Sequence, residues 1–187
     1  MTSSHTRPTA PVPTAVGEGL KAAFRHHPAG VAIITASSPD GPVGLTASSV
    51  ASVAVDPAAV MFSVTRATGS AGAILAADTF VVHLIDHEHA DLAQSFAVSG
   101  AERFTAAQGW STLPTGEPYL ADARAALRCR PLQTVPVGSS TVVIAEVVEV
   151  VTGTPGRPLV YVDRRFHALP GDPGVPGSAG GRASGRP

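Results

Sequence analysis

"GLTASSVASVAVDP" (residues 44–57) is the stretch whose reading decides the fold. Its Val and Ala alternation is that of a β-strand. Yet Thr46, Ser48, Ser49 and Ser52 stand where a strand usually carries larger side chains. Alternation puts Leu45, Ala47, Ser49, Ala51 and Val53 on one face, and Thr46, Ser48, Val50 and Ser52 on the other. One face can join a core, while the other is small and polar. Small side chains let a ligand reach backbone N–H and C=O groups, and hydroxyls add short-range donors and acceptors. A flat heteroaromatic ring with donors and acceptors along one edge suits such a surface. A solvent-facing strand has the same composition, and the pattern alone leaves both readings open.

The segment that follows adds a second feature. "AVMFSVT" (residues 59–65) reads as a buried strand, then comes Arg66, then a helix start at residues 68–70 with Thr68 as its cap. Free N–H groups at a helix N-terminus beside a guanidinium make a phosphate site. The plainer reading is a solvated loop arginine and an ordinary cap. Directly after a small-residue strand, the two together suggest one ligand with a polar ring and a phosphate.

Outward from this pair, residues 15–27 carry Val16, Leu20 and Phe24 at helical spacing, and Pro28 and Gly30 end the helix. Strands are expected over residues 30–37, 79–85, 123–133 and 140–151, with "PLVYVDRRFH" (158–167) closing the domain. Residues 68–77 and 89–98 read as short helices, and 99–124 as a loop region. Six or seven strands with two or three short helices predict a mainly β protein: a closed or nearly closed barrel with short helices. No GxGxxG fingerprint follows any strand, which argues against a parallel βαβ sheet.

Composition narrows the function. The 187 residues suffice for one domain, and 44% hydrophobic with 14% charged residues is a globular balance. The domain is expected over residues 15–168. A Pro/Thr/Ser-rich arm (1–14) and a Gly/Pro/Ser-rich tail (169–187) flank it. A net charge of −1, with Lys21 the only lysine, provides no field for nucleic acid or an anionic membrane. Cys129 is the only cysteine, and neither an apolar leader nor a membrane-length run is present. The expectation is a cytoplasmic protein.

Taken in order, "FRHHPAGVAIITA", "GLTASSVASVAVDPAAVMFSV", "TRATGSAGAIL", "FVVHLI", "DLAQSFA", "ERF", "LRCR" and "PLVYVDRRFH" resemble the flavin reductase-like, FMN-binding split-barrel family over residues 18–167. These are the small partners of two-component flavin monooxygenases. The resemblance implies an antiparallel FMN-binding split barrel and a homodimer with FMN or FAD near its interface. It further implies NADH or NADPH as hydride donor and a separate flavin-dependent monooxygenase that receives the reduced flavin. By matching position, Thr46, Ala47, Ser48 and Ser49 would contact the ring and ribityl chain, and Ser63, Val64 and Thr65 would line the same groove. Arg66 and Ser70 would face the phosphate, and Arg103 and Phe104 match a further contact segment.

The sequence departs from that pattern. Where a Gly-Asp-His motif usually precedes the long late strand, this chain has Gly138, Ser139 and Ser140. His83 replaces a usual Asn, and Val50 a usual Phe. The flavin groove survives these changes, while the nicotinamide side, which would fall to Ser139 and Ser140, is altered. A flavin-binding protein that is not a reductase is therefore a second reading, and a pyridoxamine-phosphate-oxidase-type enzyme a third. His87 and His89 in "DHEHAD" could be metal ligands on a strand. At a helix start their side chains diverge, so no metal is expected. His26 and His27 suit a helix C-terminus.

Overall fold

The computed structural model describes residues 14–154 and 156–170. Most of the expected arm and tail lies outside those residues. Thr14 is the N-cap of the first helix, α1 (Ala15–Arg25), and its hydroxyl accepts from the Gly17 amide at 3.1 Å.

The body is an antiparallel seven-stranded sheet. Its strands are β2 (Ala32–Ser38), β3 (Gly41–Ala47), β4 (Ala51–Val55), β5 (Ala58–Thr65), β6 (Phe80–Leu84), β9 (Ala125–Val137) and β10 (Ser140–Thr152). Their spatial order is β3-β2-β6-β9-β10-β5-β4. Strands β3 and β4 follow one another in the chain yet form opposite edges, so the sheet must roll until its edges meet across residues 48–50. Among the described residues no ladder joins those two edges, so the barrel is rolled and open along one seam.

This corrects the reading of residues 44–57 as one strand. Alternation holds as far as Ala47, where Val43, Leu45 and Ala47 face the core. It then slips: Val50, expected on the polar face, packs inward, while Ala51 and Val53, expected inward, are exposed. The slip lets one segment leave one edge and start the other.

The roll encloses Ile34, Ala36, Phe62, Val64, Phe80 and Val82, with Phe62 and Phe80 edge to face at 5.4 Å. Each such side chain contributes roughly 1.5–3 kcal/mol by leaving water. Cys129 is fully buried here, and burial pushes its thiol up to about 12, so it behaves as a small hydrophobe. A second apolar layer packs on the outside of β2. It includes Ile33, Phe96, Leu120 and Leu159, with Phe104 and Trp110 against it. Helix α3 (Ala90–Ala97) brings Phe96 so close to Gly44 that a Cβ there would sit 2.6 Å from its ring.

Three further segments differ from expectation. Helix α2 is shorter, at Gly69–Ala76, and Thr68 occupies its N-cap position without a side-chain cap bond. Within the loop region, β7 (Trp110–Thr112) and β8 (Pro118–Leu120) form a small hairpin. The closing segment is a hairpin of β11 (Leu159–Val162) and β12 (Arg165–Ala168). With β1 (Ala29–Gly30) it makes a separate three-stranded sheet. No helix among the described residues is long and apolar enough to cross a membrane.

Candidate functional site

The seam positions the site. On β5, Phe62 and Val64 point into the barrel, so Met61, Ser63 and Thr65 point outward. Residues 48–50 run beside Ser63. The Ser49 hydroxyl accepts from the Ser63 amide at 3.0 Å and reaches the Ser63 carbonyl at 3.2 Å. Among the described residues the backbone amides of Ser48, Ser49 and Val50 have no backbone partner. The floor is thus small and carries unspent backbone donors and acceptors, as a flat polar ring requires.

A groove of about 880 Å³ lies over this floor. Ser48, Ser49 and Ser63 form its base, and Phe24, Val50 and Tyr161 supply apolar wall. Ser48 also borders an adjoining cavity of about 410 Å³ lined by Thr46, Gln94 and Phe166. Thr46 lies at that second cavity with its hydroxyl donated to the Ala93 carbonyl at 2.6 Å.

The strand leads from this floor to the expected phosphate end. One strand step beyond Ser63, Thr65 pairs with Ser140, and their hydroxyl oxygens are 3.3 Å apart. Arg66 follows with φ 60°, its amide donating to the Ser139 carbonyl at 2.9 Å. Its guanidinium is exposed and has no partner among the described residues. Helix α2 begins directly after, its first turn left without a side-chain cap. A cation beside open helix N–H groups fits an anionic phosphate. Small floor, free amides and cationic end together fit a flavin nucleotide.

Not every expected residue faces this groove. Ala47 and Val64 are buried in the barrel and can offer only backbone. Arg103 is held by the protein. It donates to the Gly44 carbonyl at 2.9 Å, the Val98 carbonyl at 2.7 Å and Ser70 Oγ at 3.2 Å, and it lies over the Phe96 ring. Burial lowers its pKa. Phe104 packs on Phe96 and Trp110 with ring centroids 5.1 and 5.0 Å apart. Arg103 and Phe104 therefore fasten α3 to β3, and Ser70 serves as an acceptor within that network. Ser139 and Ser140 sit at the β9–β10 turn, beside Thr65 and Arg66.

Several groove residues had no strong signal in the sequence. Lys21, Arg25 and His27 come from the end of α1, and Tyr161 and Arg164 from the β11–β12 hairpin. Arg25, His27, Tyr161 and Arg164 fall inside the segments that carry the family resemblance, with no role attached to them there.

Two buried polar groups are structural. His83 is fully buried, with Nε2 accepting from the Leu120 amide at 3.2 Å, so Nδ1 carries the proton and donates to the Ile33 carbonyl at 3.1 Å. Burial chiefly, with charge repulsion from His89, lowers its pKa to about 4, against the opposing pull of the Ile33 bond. Glu117 is also buried. Burial would raise its pKa, but bonds from Thr115, Thr79, its own backbone and Arg128 outweigh that and leave it at about 2. His89 lies between carboxylates, 2.8 Å from Asp86 and 3.2 Å from Asp122. Among the described residues no three metal-ligating side chains converge.

The family model described as "Flavin reductase like domain" matches residues 24–170. An NADH:FMN oxidoreductase of Rhodococcus qingshengii is 37% identical over 177 residues, 88% of this chain and 92% of that one. A Streptomyces coelicolor protein named actinorhodin polyketide dimerase is 35% identical over 87% of this chain and 92% of its own. The crystal structure of a flavin reductase domain protein from Arthrobacter sp. FB24 superposes with a TM-score of 0.76 at 33% identity. It covers 84% of this chain and 99% of its own.

Proposed function

The chain belongs to the flavin reductase-like family, and from that premise we propose that it is an NAD(P)H-dependent flavin oxidoreductase acting on FMN or FAD. The observation that carries the reading is the seam: a floor of Ser48, Ser49 and Ser63 with unspent backbone amides, ending at Arg66 and the open first turn of α2.

A bound flavin would supply the hydride acceptor, and the hydride that leaves NAD(P)H as it becomes NAD(P)⁺ carries both electrons. The chain's own residues bind and orient. Ser48 and the amides of residues 48–50 would meet the ring edge, and Arg66 with α2 would hold the phosphate. Val50 and Tyr161 keep one side of the groove apolar. Hydride transfer between stacked rings requires alignment rather than a protein acid or base. The loss of an Asp-His pair at Ser139 and Ser140 therefore bears on affinity for the donor more than on chemistry.

The finer features form part of the same reading. Homodimerisation is supported by apolar side chains left uncovered: Val135 and Val137 on the outward face of β9, and the Val16, Leu20 and Phe24 stripe of α1. A separate monooxygenase that consumes the reduced flavin follows from family resemblance, and the single buried thiol suits the cytoplasm.

A second reading, a flavin-binding protein without reductase activity, is favoured by Ser139 and Ser140 and by the S. coelicolor relative, whose name is not that of a reductase. Steady-state oxidation of NADH and NADPH with added FMN, FAD or riboflavin separates the two. Turnover with flavin supports the oxidoreductase; saturable flavin binding without turnover selects the carrier.

A further inference from the structure

The groove carries guanidiniums of its own, Arg25 and Arg164, besides the Arg66 that follows β5. Arg25 closes the last turn of α1, and Arg164 sits in the turn between β11 and β12. That turn is built from two non-glycine residues at positive φ, Asp163 at 52° and Arg164 at 63°. Side chains seldom adopt this conformation, and it persists only where surrounding structure fixes it. Here the Asp163 amide donates to the Arg25 carbonyl at 2.8 Å, and its carboxylate lies 2.6 Å from His26 Nδ1. The hairpin tip is thereby fastened to the end of α1. Asp163 is engaged by His26, and Arg164 is left on the groove.

Four other arginines are occupied. Arg128 bonds Glu117, Arg130 bonds Glu146, Arg157 bonds His87, and Arg103 is spent on carbonyls. Neither Arg25 nor Arg164 has a side-chain partner among the described residues, and no carboxylate lines the groove. Arg164, Ser48 and Tyr161 are shared between the 880 Å³ groove and the 410 Å³ cavity beside it. The first volume alone is near the top of the range for small-molecule sites. Two free guanidiniums next to Phe24 and Tyr161 match a pyrophosphate that carries flat rings.

We propose that Arg25 and Arg164 form a subsite for a nucleoside pyrophosphate, separate from the phosphate end at Arg66. The subsite takes the ADP half of the nicotinamide donor or the AMP half of FAD, two sources with one chemistry. This rests on the oxidoreductase reading for its location but is tested without turnover.

The probe is ADP-ribose, titrated calorimetrically into FMN-loaded protein, with FMN and FAD affinities measured alongside. The R25A/R164A double variant is expected to weaken ADP-ribose roughly ten- to hundred-fold, the loss of charge-assisted bonds. R25K/R164K should recover part of it. FMN affinity should hold, and Arg165→Ala, on the strand outside the groove, should change nothing. Both positions are exposed, so matching melting curves separate a lost contact from a lost fold. If the double variant weakens FAD relative to FMN and spares ADP-ribose, the pair binds the flavin's own pyrophosphate. Equal binding of ADP-ribose and FAD by wild type and variant, or no binding of ADP-ribose by wild type together with equal FMN and FAD affinities in both proteins, overturns the proposal. ADP-ribose binding that depends on the pair, in a protein that oxidises no NAD(P)H, overturns the oxidoreductase reading alone.

Discussion

The Ser49 hydroxyl bonds both the amide and the carbonyl of Ser63, at 3.0 and 3.2 Å. A side chain thus makes the contact a neighbouring strand would otherwise make, at the one place where the rolled sheet lacks a ladder.

Replacing Ser49 with Ala leaves that amide and carbonyl without their partner. The expected cost is about 1–3 kcal/mol. A thermal melt should register it as a fall of roughly 2–4 °C per kcal/mol. FMN affinity should fall too, since residues 48–50 lose their anchor. An unchanged melting temperature would mean that water replaces the hydroxyl at no cost.

Arg66→Ala should weaken FMN by about 1.5–3 kcal/mol, a charge-assisted contact, and leave riboflavin nearly unaffected because it has no phosphate. Fluorescence titration of both ligands reads the difference. Equal losses would place Arg66 at the ring rather than the phosphate.

Two buried groups set the acid limit of stability in separate windows. His83 is neutral when folded with a pKa of about 4, against 6.5 for the free group. As pH falls from 6.5 toward 4 the unfolded chain binds a proton that the folded chain does not. Stability therefore drops, by about 3 kcal/mol over the window. Glu117 at about 2, against 4.5, contributes stability that is present above 4.5 and lost as pH falls through 2. Urea midpoints measured from pH 7 to 3 should decline from near 6.5 in wild type. In His83→Asn the decline should begin only below about 4.5, on a lower baseline. A His83→Asn curve parallel to wild type would contradict the assignment.

Glu117→Ala removes the partner of Arg128, Thr79 and Thr115 at once. Breaking a pair with one member buried costs roughly 3–5 kcal/mol. Chemical denaturation should show a loss toward the lower figure, since Arg128 retains some contact with solvent.

Much of this was legible in the sequence. Strand periodicity gave the mainly β class, and Ser48 and Ser49 stood out as small polar residues on an expected strand, while Ser63 followed from the family resemblance and Thr46 and Ala47 lie off the floor. The break at residues 48–50 was not legible: Val50 and Ala51 continue the alternation in composition while the backbone changes register. Arg103 and Phe104 carry a family pattern, and nothing in one dimension shows that a guanidinium's donors are already spent on carbonyls. Arg25 and Arg164 are far apart in the chain. The pairing of β1 with β11, with the bonds of Asp163 to Arg25 and His26, brings α1 to the β11–β12 turn.

The central claim is that a flavin ring lies on the small-residue seam. Ser48 is exposed and lines both cavities, so Ser48→Phe fills the space without disturbing the core. Quenching of FMN fluorescence should saturate with wild-type protein and vanish with Ser48→Phe, while the two proteins melt at the same temperature. Undiminished FMN binding by the folded variant would place the ring elsewhere.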